Sequence, residues 1–468
     1  MKIASTNPSR NYEVIGEVEA STEQQVKEAV AKACAAQPKW AALSQAERNA
    51  AIESFVEVCN KHADEIAELM SKEMGKPITQ ARAQVKENPD FFKAQVEMAE
   101  KVLAPEIVYE DDTQRHHLTR EPLGVIACIT PWNFPFLNLP WQMGQALLAG
   151  NTVVFKQSEE VIVFSQLMGK LIAESDMPEG VWTAVFGDGA VGELLVQQPV
   201  DAIMFTGSTR TGQRITELAA KTSTRVLTEM GGSAPGIVFE DADVPAIIDT
   251  LYMMRFDNTG QYCDGLKRLL VHESKLDRVL EALKKVNTAK KVGDALDEKT
   301  DIGPLVAKRQ VDLLKGQLQD ALDKGAKVVF GGKEPAGLQG AYFEPTVLTN
   351  ISFDMRIWKE EVFGPMLPVV TFKTEDEAVK LANDTIYGLG AFVFTTDKDR
   401  YFRVAKQIQS GIVAHNNALY FSTVTPFGGY KASGNSRSLG VEGFHEVTQV
   451  RVVSEEKAKG AEQEGLLA

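Results

Sequence analysis

The segment Phe256-Asp-Asn-Thr-Gly-Gln-Tyr-Cys263 places a thiol directly after small and polar residues. Gly260 and Gln261 favour a close backbone approach at this position over packing in a core. A cysteine that reacts as a nucleophile must be largely thiolate, which requires partial access and local positive potential. Cys263 is therefore the candidate nucleophile. The remaining cysteines stand among apolar residues and are expected to behave as small buried hydrophobes; they are Cys34, Cys59 and Cys128.

A candidate base lies upstream of this thiol. The stretch Val226-Leu-Thr-Glu229 ends an apolar run on a carboxylate, where burial would raise its pKa. Gly231 and Gly232 follow, and two glycines there suggest that the backbone makes room for a ligand. The alternative is a glutamate that turns to solvent at the end of a strand. If the group is buried, its chemistry is that of a general base.

These motifs resemble those of the aldehyde dehydrogenase superfamily in form and separation, and the resemblance covers nearly the whole chain. One short motif can arise by chance, whereas an ordered set is specific. Residues 69–84 and 231–235 and the overall length look closest to bacterial succinate-semialdehyde dehydrogenases. The further matches, in the family's order, are Pro131-Trp-Asn-Phe-Pro135, Phe205-Thr-Gly-Ser208 with Gly212, Glu360-Glu-Val-Phe-Gly-Pro365, and Pro426-Phe-Gly-Gly429 with Lys431, Ser433 and Gly434.

The resemblance implies oxidation of an aldehyde to an acid. Cys263 would attack the carbonyl carbon, because hydride loss from a thiohemiacetal leaves a stable thioester. The Asn133 amide and the backbone N–H of Cys263 would receive the oxyanion, although an isolated asparagine here is more typical of a turn. Glu229 would activate water to hydrolyse the thioester, which disfavours coenzyme A as acceptor. A catalytically silent relative is the rival interpretation, but no catalytic position is lost.

The cofactor site also follows from the resemblance. Gly187-Asp-Gly-Ala-Val-Gly192 fits the dinucleotide fingerprint, a pattern that is weak alone. In the family the pyrophosphate lies instead near the helix that begins after Ser208. The carboxylate of Glu159 would accept hydrogen bonds from the ribose hydroxyls and repel a 2′-phosphate, which favours NAD. Lys156 could also meet a phosphate, so NADP is an alternative. The expected cofactor residues are Trp132, Lys156, Glu159, Gly187, Gly207, Ser208, Gly231, Glu361 and Phe363.

The expected substrate is succinate semialdehyde or a similar small semialdehyde, with an aminoaldehyde or a neutral aliphatic aldehyde as alternatives. Arg255 could meet a substrate carboxylate, whereas Asp257 would favour a cation if it faces the tunnel. Asp264 stands where small or apolar residues are usual, and we expect it to point away from the thiol. The residues expected to line the tunnel are Phe134, Asn138, Trp141, Arg255, Asp257, Tyr262, Tyr420, Phe421 and Phe427.

Two alternating series of strands and helices must position these groups. The first predicts a parallel, doubly wound sheet, with strands at 125–129, 152–155, 181–186 and 202–205. The second predicts another α/β unit, with strands at 237–239, 269–272, 327–330 and 367–372. Capping boxes predict that the chain opens with a helical hairpin that ends near Gly75; they are Ser21-Thr-Glu-Gln24 and Ser44-Gln-Ala-Glu47.

The predicted fold is therefore α/β, with a Rossmann-like cofactor domain, an α/β catalytic domain and a small β oligomerisation element. The cofactor domain is predicted to comprise 1–103 and 123–233, the catalytic domain 234–436, and the oligomerisation element 104–122 and 437–468. The segment 103–122 is typical of an exposed β-hairpin. In the family this hairpin, together with a C-terminal stretch, here 448–454, pairs between subunits, which implies a homodimer or homotetramer.

The bulk composition limits the remaining classes. A chain of 468 residues with 44% hydrophobic and 24% charged residues is globular and long enough for several domains. The net charge of −14 argues against binding nucleic acid. Without a long apolar run or a signal-like start, a cytoplasmic address is expected. No metal site is predicted, because adjacent His116 and His117 on a strand would point to opposite faces.

Overall fold

A computed structural model describes residues 1–418 and 420–457. Residues 458–468, the last part of the predicted oligomerisation element, lie outside this description. Within the described residues, no helix is both long and apolar enough to cross a membrane.

The strands fall into four sheets. They are β1 (Lys2–Asn7), β2 (Glu13–Glu19), β3 (Glu106–Glu110), β4 (Gln114–Pro122), β5 (Val125–Thr130), β6 (Thr152–Gln157), β7 (Trp182–Ala184), β8 (Ala202–Thr206), β9 (Arg225–Glu229), β10 (Ala234–Val238), β11 (Leu266–His272), β12 (Lys327–Phe330), β13 (Thr346–Thr349), β14 (Met366–Phe372), β15 (Gly390–Phe394), β16 (Ile412–His415) and β17 (Thr448–Glu456).

The helices connect and cover these sheets. They are α1 (Glu23–Ala41), α2 (Gln45–Lys61), α3 (Ala63–Met74), α4 (Ile78–Leu103), α5 (Gln145–Leu148), α6 (Ile162–Glu174), α7 (Gly189–Val196), α8 (Thr209–Ala219), α9 (Val244–Phe256), α10 (Leu276–Thr288), α11 (Lys308–Asp323), α12 (Arg356–Lys359), α13 (Glu375–Asn383), α14 (Lys398–Ala405) and α15 (Gly440–Glu446).

The first large sheet has the order β7-β6-β5-β8-β9, and every pair in it is parallel. All six residues of β5 are buried, as expected of a central strand covered on both faces. The predicted parallel, doubly wound sheet is confirmed. Because carboxyl ends of parallel strands share one edge, the segments after β5, β8 and β9 meet there, and ligands bind at such an edge.

The second large sheet has the order β12-β13-β14-β11-β10-β15-β16. Its strands are parallel except for the antiparallel edge pair β12 and β13. The predicted second α/β unit is confirmed, and the sequence prediction missed β13, β15 and β16. These are runs of only four or five residues, a length at which periodicity carries little information. The predicted domain boundary at 233 and 234 falls between β9 and β10.

The start of the chain differs from the prediction. A β1–β2 hairpin precedes the helices, and the predicted second helix is two helices, α2 and α3, that meet at His62. The first capping box is shifted by one residue, since Thr22 caps α1 with Gln25, whereas the Ser44–Glu47 box is confirmed. Gly75 ends α3 in the left-handed conformation, as expected.

The third sheet contains the predicted exposed hairpin, β3 and β4, together with β17. Strand β17 pairs antiparallel with β4 of the same chain, from Thr448 opposite Pro122 to Glu456 opposite Gln114. Cys59 and Cys128 are buried, as expected. Cys34, on α1, is exposed, so the expectation that it lies in a core is wrong.

The turn that contains Gly434 follows β16 in the chain and packs against the end of β9. Gly434 has φ of 128° and forms a bridge with Glu229, and the N–H of Met230 donates to the carbonyl of Ser433 at 2.8 Å. A Cβ at Gly434 would overlap the carbonyl oxygen of Thr228. Only glycine fits, so this turn fixes the end of β9 and the carboxylate that it carries.

We expect Gly434→Ala to lower the free energy of unfolding by at least about 1 kcal/mol, because a Cβ meets both backbone overlap and an unfavourable φ. Denaturant unfolding measures the change. Gly189→Ala is the matched control, since a Cβ on this first residue of α7 meets nothing within 4 Å. That variant should be neutral or slightly stabilised. Equal stability of the two variants would contradict the argument.

Candidate active site

A cavity of about 310 Å³ collects residues from distant parts of the chain. The three groups predicted to carry the chemistry, Asn133, Glu229 and Cys263, all lie in its lining. Each is placed by a different element: Asn133 follows β5, Glu229 ends β9, and Cys263 precedes β11. A sulfur, an amide and a carboxyl group therefore face one space.

The loop before Cys263 has an unusual backbone. Asn258, Thr259 and Gly260 have positive φ values of 47°, 56° and 71°. Such a conformation costs about 1–3 kcal/mol for each non-glycine residue and persists only where its surroundings hold it. The Gln261 side chain does so, accepting from the N–H of Val306 at 2.9 Å and donating to the carbonyl of Asn258 at 3.0 Å.

Close approach also explains the glycine of this loop. A Cβ on Gly260 would lie 2.6 Å from the carbonyl oxygen of Gly364. The backbone approach predicted beside Cys263 is therefore present, and it joins the loop to the segment that carries Glu361 and Phe363.

The Asn133 side chain connects the first sheet to this loop. Its Nδ2 donates to the carbonyl of Gln261 at 3.0 Å, and Asn258 Nδ2 donates to the carbonyl of Asn133 at 3.0 Å. The side chain is buried, so it is more than a surface turn residue. An amide carries two donors, and the second remains for an oxygen in the cavity.

The Glu229 carboxyl group is buried, which excludes the solvent-exposed alternative. Burial raises its pKa to about 8, against the opposing effects of Ser438 and of the Arg437 charge. Its Oε1 has no hydrogen-bond partner among residues 1–418 and 420–457. A carboxyl group with this pKa and a free oxygen can exchange protons with water near neutral pH.

The structure corrects the expectation that Asp264 points away. Its Oδ1 lies 3.6 Å from Cys263 Sγ, and both side chains line the cavity. Burial raises the pKa of the Cys263 thiol well above its usual range, and Asp264 raises it further. The nucleophile therefore lies beside a carboxyl group that opposes the thiolate.

The expected cofactor residues fall into two groups. Lys156 and Glu159 do not line the cavity. Lys156 lies in β6 with its side chain next to Gly192 of α7, and its Nζ is 3.9 Å from Oε2 of Glu159, which follows the strand. Gly187 is also outside the lining, because it packs against Val191 at the start of α7. The others line the cavity as one group: Trp132, Gly207, Ser208, Gly231, Glu361 and Phe363.

The lining fits a nicotinamide dinucleotide. Ser208 caps α8, so an eleven-residue helix begins at the cavity and directs its free N–H groups toward it. Phe363 meets Trp132 edge to face, with ring centroids 5.6 Å apart, and both rings line the same cavity as Cys263. The carboxylate of Glu159 is partly exposed, as a ribose ligand must be.

Aromatic side chains form the opposite wall. Phe134 meets Tyr262 at 4.8 Å, and Trp141 meets both Phe421 and Phe427 at 5.3 Å between ring centroids. Trp141 lies in a π-helical turn, Leu139–Gly144, a distortion that is frequent at functional sites. The expected residues that do lie in the lining are Phe134, Asn138, Trp141, Tyr262, Phe421 and Phe427.

Three residues expected in the tunnel lie elsewhere. Arg255 is fully buried beneath the loop and donates to the carbonyls of Leu266 and Val362, so it cannot meet a substrate carboxylate. Asp257 faces a separate polar cavity with Lys290. Tyr420 stacks on Phe392, 4.8 Å away. A neighbour in sequence to a site residue often points away from the site, and spacing alone does not show this.

Sequence reasoning also missed a site residue, Lys267. It is fully buried on β11, and its ammonium pairs with Glu361 and donates to the carbonyls of Gly232 and Cys263 at 2.9 Å. The available signal was Leu266-Lys-Arg-Leu-Leu-Val271, in which two basic residues begin an otherwise apolar strand. Charges inside such a strand require buried partners.

Fold and cavity together define an α/β protein in which a cysteine thiol, an amide and a carboxyl group line one cavity. Residues 1–453 match the model of the aldehyde dehydrogenase family. The chain is 35% identical to the NADP-dependent succinate-semialdehyde dehydrogenase of Escherichia coli K12, covering 94% of this chain and 92% of that protein. It is 37% identical to aminoaldehyde dehydrogenase 1 of Pisum sativum, covering 97% and 92%.

A solved structure agrees with this relationship. The NAD-dependent aldehyde dehydrogenase of Sinorhizobium meliloti superposes with a TM-score of 0.95 at 35% identity, covering 100% of this chain and 93% of that one. The chain belongs to the aldehyde dehydrogenase family, and it is an NAD(P)-dependent enzyme.

We expect hydrolysis of the acyl-enzyme to accelerate as pH rises and to level off above about 8, because Glu229 is useful as a base only when deprotonated. Following the decay of a preformed thioester isolates this step from thiol ionisation. Glu229→Gln should form the thioester and then stall. A decay rate that is independent of pH, or normal turnover by Glu229→Gln, would contradict this role.

Proposed function

We propose that this enzyme oxidises a small aldehyde to its carboxylic acid, with Cys263 as nucleophile, Asn133 as oxyanion donor and Glu229 as base. The observation that carries the proposal is the presence of these three side chains in the lining of one cavity.

The first step forms a bond between sulfur and carbon. The thiolate of Cys263 attacks the carbonyl carbon, and the negative charge moves to oxygen. The free Asn133 N–H and the backbone N–H of Cys263 receive this oxygen, and loss of one such donor costs roughly 3 kcal/mol of transition-state stabilisation. When bound, the nicotinamide cofactor supplies the oxidation that converts the tetrahedral adduct into a thioester.

The second step releases the acid. Glu229 takes a proton from water, the resulting hydroxide adds to the thioester carbon, and the C–S bond breaks to return the thiolate. The orphan Oε1 of Glu229 supports this role, because it leaves one oxygen of the carboxyl group for water. Water is thus the proposed acyl acceptor, and coenzyme A is not required.

We propose that NAD is preferred over NADP. Glu159, beside Lys156 beyond the end of β6, would accept hydrogen bonds from both ribose hydroxyls and repel a 2′-phosphate. Lys156 does not cancel this preference, because its buried ammonium faces Glu159, and burial lowers its pKa. We assign Ser208 and the start of α8 to the pyrophosphate, and Glu361 and Phe363 to the nicotinamide riboside.

Two substrate classes remain in competition. The similarity to succinate-semialdehyde dehydrogenase supports a small semialdehyde such as succinate semialdehyde. The charges of the lining support a neutral or cationic aldehyde, such as an aminoaldehyde. Asp264 and Glu229 are acidic, and among the described lining residues the only basic side chain is Arg309, which is paired with Glu160 at 2.8 Å. We favour the second class on this observation.

We also propose assembly into a homodimer or homotetramer through the third sheet. Its outer strands, β3 and β17, present exposed apolar side chains that a second copy could cover, namely Ile107, Val108, Tyr109, Val450 and Val452.

We expect Cys263→Ala to abolish NADH formation from every aldehyde while NAD binding, followed by titration calorimetry, is retained. The loss follows because no other sulfur nucleophile lines the described cavity. Cys34→Ala is the matched control: this thiol is exposed on α1, and its removal should leave turnover unchanged. Retained turnover in Cys263→Ala would refute the assignment.

Steady-state kinetics on chain-matched aldehydes should rank the substrates. We expect kcat/KM to be higher for an aminoaldehyde and for a neutral aliphatic aldehyde than for succinate semialdehyde, because the only basic side chain among the described lining residues, Arg309, is already paired with Glu160. Efficiency should be higher with NAD than with NADP. A preference for succinate semialdehyde would show that the carboxylate finds a cation that the lining charges do not indicate.

A further inference from the structure

The ammonium of Lys267 joins three segments that meet at the nucleophile. It donates to the carbonyl of Cys263 and to the carbonyl of Gly232, each at 2.9 Å, and pairs with the carboxylate of Glu361. The Lys267 side chain has no exposed surface. All three of its donors are therefore used inside the protein, on the nucleophile loop, the segment after the base and the proposed cofactor segment.

The two glycines after Glu229 make this arrangement possible. A Cβ on Gly232 would lie 2.5 Å from the carbonyl oxygen of Cys263, and a Cβ on Gly231 would overlap the Glu361 carboxylate. The N–H of Gly232 also donates to Glu361 at 3.1 Å. The space beside Gly231 and Gly232 is thus partly filled by the Glu361 carboxylate and the Cys263 carbonyl, which are both partners of Lys267.

The charges around the thiol explain why a cation is needed. Three carboxyl groups face Cys263 from different elements: Asp264 on its own loop, Glu361 after α12 and Glu229 at the end of β9. Asp264, Glu361 and Glu229 raise the pKa of Cys263, whereas Lys267 lowers it. The nearby phenols of Tyr262 and Tyr420 have pKa values raised by burial and stay neutral.

We propose that Lys267 is a positioning residue for the proposed reaction: its ammonium fixes the carbonyl of Cys263 and supplies the positive potential that lets this thiol ionise among three carboxyl groups. Arg255 is a second basic neighbour of Lys267, and Lys267 is not among the described residues that line the cavity. It acts through Cys263 and rests on the function proposed above.

A structural role alone would not require a charge. A neutral amide could donate to the two carbonyls, whereas only a cation also pairs with Glu361 and adds positive potential; removal of one partner of such a buried pair is destabilising. The bond to the carbonyl of Cys263 holds the ammonium against the backbone of the nucleophile residue, and a positive charge so placed favours the thiolate. Lys267 also lies 5.2 Å from the Phe363 ring, so it borders the proposed nicotinamide pocket as well.

The test measures ionisation of the thiol directly. Alkylation of Cys263 by iodoacetamide, a neutral reagent, follows the thiolate fraction and therefore rises with pH through the thiol pKa. It needs neither aldehyde nor cofactor, so it reports on Lys267 even if no aldehyde is turned over. The background is Cys34→Ala, because Cys34 is exposed, whereas Cys59 and Cys128 are buried.

Lys267→Met should move the midpoint of alkylation to higher pH. Below that midpoint, the reaction should slow by about tenfold for every pH unit by which the midpoint rises, because the thiolate fraction falls in that proportion. Asp264→Asn should move the midpoint to lower pH, since it removes an opposing charge. Lys267→Arg keeps the charge and should restore most of the wild-type profile. Shifts of the alkylation midpoint in opposite directions in Lys267→Met and Asp264→Asn would distinguish an effect of charge from a general disturbance of the loop.

An unchanged midpoint in folded Lys267→Met, or changes of the same sign in Lys267→Met and Asp264→Asn, would overturn the proposal. If Lys267→Met does not fold, Lys267→Gln decides, because its amide can still donate to the two carbonyls without carrying charge. A higher midpoint in Lys267→Gln supports the charge role, and a wild-type profile in this variant refutes it.

Discussion

The geometry of the site depends on one hydrogen bond, from the side-chain amide of Asn133 to the carbonyl of Gln261. It joins the end of a central strand to a loop with three successive positive φ values, which could not hold its shape alone. Through this bond the end of β5, in the first sheet, fixes the position of Gln261 and therefore of the Cys263 thiol two residues later. A second bond, from the Asn258 amide to the carbonyl of Asn133, reinforces this connection.

Burial has opposite consequences for the two groups that are proposed to transfer protons, Glu229 and Cys263. It raises the pKa of Glu229 to about 8, which suits a base that must take a proton from water. It also raises the pKa of Cys263, which opposes a nucleophile that must lose one. The same burial therefore favours the proposed base and disfavours the proposed nucleophile, and the nearby ammonium of Lys267 offsets the second effect.

Much of this architecture could be predicted from sequence, because it depends on local patterns. Alternating strands and helices identified both α/β units, and the ordered motifs located Cys263, Glu229 and Asn133. The direction of Asp264 could not be predicted, because it lies in an irregular loop in which neither helical nor strand period applies. Arg255 lies in the last turn of α9, and its carbonyl partners come from Leu266 and Val362, which the helix pattern does not reveal. The role of Lys267 was missed because its partners come from segments far away in the sequence.

The third sheet has a consequence for how the protein is made. Thr119 of β4 and Arg451 of β17 lie side by side in it, yet they are 332 residues apart in the chain. During synthesis β4 emerges long before β17. Until β17 has left the ribosome, the edge of β4 that does not pair with β3 has no partner in the same chain. Completion of this sheet therefore depends on the synthesis of β17. Before that point, the free edge of β4 is where a second copy of the chain could pair with it.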